Sequence, residues 1–165
     1  MPFLIKSPGT IIPGTISDDK IMNIDFAPTL LDFAGLSVPE EMQGRSFKNT
    51  FTRNSDTKRN AVYYHYYEYP IWHNVQPHYG VRTDKYKLIH FYYSMDEWEL
   101  YDMDADPHEM NNIYENADPV LISKLKFKLD SLKKYYGDTS SINDMISMTD
   151  TVIQRVYNEP VKEIK

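Results

Sequence analysis

The chain has 165 residues, 41% apolar and 25% charged, with a net charge of −6 and no cysteine. That length supports one domain with a sizeable core. It leaves no disulfide, thiolate metal site or cysteine nucleophile, and the acidic balance supplies no basic stripe for a nucleic-acid backbone.

In chain order, Met1 to Lys6 lacks the charged start and long apolar stretch of a signal peptide, and no apolar run is long enough to predict a membrane-spanning helix. Phe3, Leu4 and Ile5, closed by Ser7-Pro8-Gly9, predict a short strand buried on both faces. Pro13-Gly14-Thr15 marks a turn. A helix is predicted near 24–34, with Asn23 as its N-cap, Asp25 in the first turn and Pro28 near the opening. Phe26, Leu30, Leu31 and Phe33 form its apolar face and Gly35 its left-handed stop. Ser37 to Arg45 reads as a loop, and Asn49 to Asn60 as an exposed connection.

From Ala61 to Tyr67 the pattern alternates. Val62, Tyr64 and Tyr66 share one face and Tyr63, His65 and Tyr67 the other. A loop carrying Trp72 and His73 runs to Pro77. Tyr79–Thr83 and Tyr86–Tyr92 form a hairpin about Asp84, and Glu97–Tyr101 is a further strand with Trp98 and Leu100 on one face. After a turn-rich stretch, Asp118 caps and Pro119 opens a helix whose buried stripe is Ile122, Leu125, Leu129, Leu132 and Tyr136, stopped by Gly137. Lys124, Lys126 and Lys128 read as its solvated side. From Asp138 onward Met145, Met148, Val152, Ile153 and Val156 give only a weak helical pattern, read as a tail. The class is α+β: about four antiparallel strands packed on a helix.

Several strings carry a resemblance. Pro2-Phe3-Leu4-Ile5-Lys6-Ser7-Pro8-Gly9, the stretch Asn23-Ile24-Asp25-Phe26-Ala27-Pro28-Thr29-Leu30-Leu31-Asp32-Phe33-Ala34-Gly35 and Gln43-Gly44-Arg45-Ser46-Phe47 are followed by Val81-Arg82-Thr83-Asp84-Lys85-Tyr86-Lys87-Leu88-Ile89. Glu99-Leu100-Tyr101-Asp102, Asp106-Pro107-His108-Glu109 and Asn112 complete the order. Together they resemble the C-terminal portion of formylglycine-dependent sulfatases of the alkaline-phosphatase-like superfamily, over residues 2 to 136. Tyr64-His65-Tyr66-Tyr67-Glu68-Tyr69-Pro70 and His78-Tyr79-Gly80 look most like the carbohydrate sulfatases, such as glucosamine 6-sulfatases. The resemblance implies that 1–48 is a terminal strand-helix piece of the larger α/β sulfatase domain, 49–137 the C-terminal subdomain and 138–165 a tail.

The reaction of that family uses a nucleophile matured from Cys or Ser in a Cys/Ser-x-Pro-x-Arg motif and a calcium ion held by acidic and amide oxygens. Neither the motif nor the family's metal ligands match any position here, and Asp18-Asp19 matches no family ligand. The resemblance therefore implies no catalytic residue and no metal ligand in this chain, with formylglycine and calcium belonging upstream. It implies a fragment inactive alone, whose partner is a missing N-terminal sulfatase domain. Parent enzymes of this kind are exported; the compartment of this chain is left open. An apolar patch around Phe3, Leu4, Phe26, Leu30 and Leu31 is expected to drive self-association. The alternative is a stand-alone carbohydrate-binding or interaction module derived from a sulfatase.

For contact with a sulfated glycan in the whole enzyme, the candidates are His65, Glu68, His73, His78 and Arg82. Their spacing fits no standard metal motif, and the competing reading is ordinary polar residues of a sheet. Arg82 suits a bidentate grip on sulfate, or pairing with a neighbouring acid. Ten of the 14 tyrosines lie between Tyr63 and Tyr101; they suit a sugar platform or packing between sheet and helix. Asp106 reads as a turn residue.

Overall fold

The computed structural model describes residues 3–51, 58–70 and 73–158; Trp72 lies outside them. The chain divides into two units, Met1–Val62 and Tyr63–Lys165.

In the first unit a 3₁₀ turn, Asn23–Asp25, leads into α1, Phe26–Phe33. Gly35 follows with φ +72°, the left-handed stop expected after the last turn. Asp25, Thr29 and Asp32 fall one helical turn apart along a single stripe, and each holds a different part of the chain. Asp25 accepts the backbone N–H groups of Met22 (2.7 Å) and Arg45 (3.0 Å) and the guanidinium fork of Arg59 (2.5 and 2.9 Å). The Thr29 hydroxyl donates to the Asp25 carbonyl (2.6 Å) and accepts from the Phe47 N–H (3.0 Å). Asp32 takes the Ser46 hydroxyl (2.5 Å) and the Lys48 ammonium (3.0 Å). Gly44 is the close approach in this arrangement, since a Cβ there would stand 1.8 Å from the Ile24 carbonyl oxygen. Phe26 packs edge-on between Phe3 and Phe47, with ring centroids 5.1 and 5.6 Å away.

Two expectations fail in this unit. Phe3 to Lys6 forms no strand, and Leu4 is 95% exposed, because no strand among the described residues runs beside it to complete a ladder. Arg59 does not sit in an exposed connection. It is buried against Asp25, a partner 34 residues away. Of the anticipated apolar patch, Phe3, Leu4 and Leu30 are exposed, whereas Phe26 and Leu31 are half-buried.

The second unit is built on a four-stranded antiparallel sheet in the order β1 (Ala61–Tyr66), β2 (His78–Thr83), β3 (Tyr86–Phe91), β4 (Glu97–Asp102). Val81 pairs with Leu88 and Leu88 with Leu100. All three are fully buried and form the centre of the core. The sheet's period of two assigns its faces: Tyr63, His65, Tyr79, Val81, Leu88, His90, Trp98 and Leu100 lie on one, with Tyr64, Tyr66, His78, Gly80, Arg82, Ile89 and Phe91 on the other. Gly80 leaves room for the Tyr64 ring, whose hydroxyl oxygen would stand 2.6 Å from a Cβ at that position. Beyond β4, the Asn112 side chain accepts the Leu100 N–H (3.0 Å) and donates to the Trp98 carbonyl (3.2 Å), while the Ile113 N–H reaches the Leu100 carbonyl (2.9 Å).

Helix α2, Pro119–Tyr135, starts and stops where the sequence predicts. The Asp118 carboxylate accepts the Val120 N–H at 2.8 Å, and Gly137 takes φ +71°. Leu125 and Leu129 are its buried residues. Lys126 departs from its expected solvated place, its ammonium lying 4.0 Å from the Trp98 ring centre. The weak pattern after Asp138 resolves into a 17-residue helix α3, Ile142–Asn158. It opens on Ser141, which exchanges hydrogen bonds with Asp144 in a capping box, and it buries Met145 and Thr149.

Candidate functional site

Polar chemistry in the second unit concentrates on the helix-covered face, in two histidine clusters. His65 is buried, with a side chain 3% exposed. Its Nδ1 lies 2.9 Å from the Asp138 carboxylate, just past the end of α2, and its Nε2 lies 2.9 Å from the Tyr92 hydroxyl. The Tyr63 hydroxyl donates to the same Asp138 oxygen. The rings of Tyr67 and Tyr79 close the pocket, 3.8 and 5.5 Å from the imidazole centre. Burial lowers the pKa of His65, and the Asp138 carboxylate only partly opposes it. Burial also pushes the Asp138 carboxyl up, but the bonds from Tyr63 and His65 outweigh this and hold it below the ordinary range.

His90 repeats the scheme. Nδ1 meets the Tyr79 hydroxyl at 2.8 Å, and Nε2 meets Asp96, in the turn after β3, at 2.7 Å. The ring stacks on Trp98 with centres 4.1 Å apart, and burial lowers its pKa. Tyr79 is itself pushed up to about 12, chiefly by burial.

The five sequence candidates are not brought to one place. His65 lies on the helix-covered face with both ring nitrogens engaged by protein groups. His78 and Arg82 lie on the opposite face, where His78 stacks between Tyr66 and Phe91 (5.4 and 5.0 Å) and its Nδ1 donates to the Gln76 carbonyl (2.8 Å). Arg82 is exposed, and no acid pairs with it among the described residues. Glu68 and His73 are exposed in the loop between β1 and β2. Three of the tyrosines, Tyr63, Tyr79 and Tyr92, are buried and serve packing. Asp106 holds a turn, its carboxylate accepting the Asn111 N–H at 2.8 Å, and Glu109 next to it pairs with Lys87.

Asp138, His90, Tyr92 and Asp96 were not singled out by the sequence. The strand period of β3 does put His90 on the same face as Leu88, so its burial was readable; its acid partner, set by a turn, was not. A calcium ion takes about six to eight oxygen ligands. Among the described residues no three carboxylate or imidazole groups converge in that way, and Asp18 and Asp19 stand on an exposed segment. These residues do not fit the calcium site that the family uses.

Residues 1–135 match the family described as "N-sulphoglucosamine sulphohydrolase, C-terminal". The chain belongs to this family. The sulfatase C-terminal domain is also 50% identical to an N-acetylglucosamine-6-O-sulfatase of Bacteroides thetaiotaomicron over 84% of this chain and 25% of that protein. An N-acetylglucosamine-6-sulfatase of Bos taurus is 30% identical over 84% of this chain and 30% of its own length. A solved structure in complex with its substrate D-glucosamine-2-N,6-O-disulfate superposes with a TM-score of 0.67 at 49% identity, covering 72% of this chain and 25% of that one. The chain thus spans about a quarter of the Bacteroides relative's length. Within this sulfatase domain, two of the landmark strings explain each other. The stripe of Asp25, Thr29 and Asp32 on α1 is what grips Arg45, Ser46 and Phe47, and Gly44 lets that segment lie against Ile24.

Proposed function

We propose that this chain is the C-terminal portion of a carbohydrate sulfatase whose whole form hydrolyses the 6-O-sulfate ester of a glucosamine-type sugar. The carrying observation is the 50% identity to the Bacteroides N-acetylglucosamine-6-O-sulfatase over 84% of the chain. On this reading the nucleophile and the calcium ligands belong to the rest of the enzyme, and the chain by itself turns over no ester. Its partner is an N-terminal sulfatase domain, for which exposed Leu4 and Leu30 offer apolar contacts.

Glycan contact falls to exposed Glu68, His73 and Arg82 together with His78. An unengaged guanidinium such as Arg82 takes a sulfate or carboxylate through two parallel N–H bonds. Glu68 accepts sugar hydroxyls. His65, with no free ring nitrogen, supports the loop from beneath.

The test replaces the corresponding portion of the Bacteroides enzyme with this chain and measures release of sulfate from N-acetylglucosamine 6-sulfate. Turnover by the chimera, with none from the chain alone, supports the reading. A chimera that folds normally by circular dichroism yet releases no sulfate overturns it, as does turnover by the isolated chain.

A further inference from the structure

His65 and His90 share a design that the hydrolytic reading does not use. Each is buried, with a carboxylate at one ring nitrogen and a tyrosine hydroxyl at the other, and at His65 the Tyr63 hydroxyl also lies 3.2 Å from Nδ1. In His65, Nδ1–H donates to Asp138, so Nε2 must accept from the Tyr92 O–H. In His90 the tautomer is reversed: Nε2–H donates to Asp96, and Nδ1 accepts from the Tyr79 O–H. Adding a proton to either ring turns its accepting nitrogen into a donor. The tyrosine proton then loses its acceptor, inside a region where Tyr92 and Tyr79 are 3% and 6% exposed. A buried hydroxyl without an acceptor is destabilising.

The charged groups facing the rings reinforce this. Around His65 stand Asp138 after α2, Tyr63 and Tyr67 from the first strand and its exit, Tyr79 and His78 from β2, Tyr92 after β3, and Lys133 of α2. Around His90 stand Asp96, Tyr79, and Lys126 and Lys133 of α2. The lysines oppose a second cation, the carboxylates favour it, and burial opposes it in both cases.

We propose that the His65 and His90 clusters form an acid-sensitive latch: while both imidazoles are neutral they accept bonds from the Tyr92 and Tyr79 hydroxyls, and protonation breaks those two bonds while the His65–Asp138 and His90–Asp96 contacts persist as ion pairs. The segments under control are the exit of β3 at Tyr92 and the part of β2 around Tyr79. Tyr67, lying on the His65 ring, couples the start of the β1–β2 loop to the same event.

Linkage fixes the direction. Both histidines have folded pKa values below the ordinary 6.5. Their contribution to stability is complete above about pH 6.5 and is lost as pH falls from there through the folded values. Within that window each histidine changes the folded-to-unfolded ratio by about tenfold per pH unit.

The experiment uses the full chain with ¹⁵N-labelled histidine. Ring-nitrogen shifts identify the tautomer and titration of each imidazole, and amide exchange is followed from pH 7.5 to 5. The latch requires neutral His65 with its proton on Nδ1 and neutral His90 with its proton on Nε2 at pH 7.5. It also requires both to titrate below 6.5, and amides near Tyr92 and Tyr79 to lose protection in the same range. Asp138→Asn removes the carboxylate bonded to His65 and should move that titration further down, leaving His90 unchanged. His65→Gln should remove about half of the pH dependence of the urea midpoint. Should that variant fail to fold, the ring titrations of wild type and Asp138→Asn decide alone. A cationic His65 or His90 at pH 7.5, or exchange that is flat across the range, overturns the proposal. None of these readings depends on sulfatase activity.

Discussion

The two units solve the same problem, a polar group inside the protein, in opposite ways. The first unit buries a full ion pair: Asp25 is 1% and Arg59 9% exposed, and the carboxylate takes the guanidinium fork plus two backbone N–H groups. Burial alone would push the Asp25 carboxyl up, but these donors outweigh it and hold the group below its ordinary range. The second unit buries uncharged imidazoles and completes their bonds with tyrosine hydroxyls. Charge matched by charge persists until the carboxylate itself titrates, below the ordinary pKa of about 3.8. A network built on neutral histidine fails earlier, as pH drops below about 6.5. The same chain therefore contains one knot indifferent to mild acid and one responsive to it.

The largest expected effect breaks the first knot. Arg59→Met leaves Asp25 buried without its countercharge and should cost about 3–5 kcal/mol, read as a drop in urea midpoint. That loss should be as large at pH 5.5 as at pH 7.5, and a loss that vanishes at pH 5.5 would show Asp25 to be protonated there. Next comes Gly44→Ala. Its Cβ meets a backbone oxygen, which cannot swing away as a side chain can, so the cost should reach the upper part of about 1–3 kcal/mol. Amide exchange should place the loosening around residues 22–25 and 43–48.

In the second unit, Asp118→Ala removes the acceptor for the Val120 N–H and should cost about 1 kcal/mol, with fraying confined to the first turn of α2. The smallest change is Lys126→Met. It keeps the apolar stem but removes the cation over Trp98, worth about 0.5–1 kcal/mol. Because Lys126 also opposes protonation of His90, the same substitution should raise the His90 titration measurably. A stability loss with no such rise would break the link between helix and latch.

What could be read from the sequence was local. Asp118, Pro119 and Gly137 sit at fixed offsets from the helix they bound, and alternation in the strands is a consequence of the pleat, so the hairpin and α2 appear at their predicted places. The order of landmark strings gave the family. Contacts set by tertiary geometry were not readable. Arg59 finds Asp25 from 34 residues away, and Asp138 reaches His65 from 73 away; no local spacing encodes either. The strand at Phe3–Ile5 failed because an apolar run specifies a wish for neighbours, not their presence. Helix α3 was missed for a related reason: its buried residues, Met145 and Thr149, include a polar one that the apolar pattern does not count. At the candidate site, alternation assigns faces only within one strand; that His65 lies on the other face from His78 and Arg82 depends on strand register, which the sheet supplies and the sequence does not.

Asn112 has a consequence for how the domain behaves in company. A strand at the margin of a sheet normally offers a row of free N–H and C=O groups on which another chain can polymerise. On β4, the Asn112 amide imitates a peptide unit opposite Leu100 and Trp98, and Ile113 completes the imitation. On that margin the Leu100 N–H and C=O and the Trp98 C=O are already taken, so an incoming strand would first have to displace Asn112 and Ile113 there. Asn112 thus leaves that stretch of β4 a poorer template for another strand than a bare edge would be.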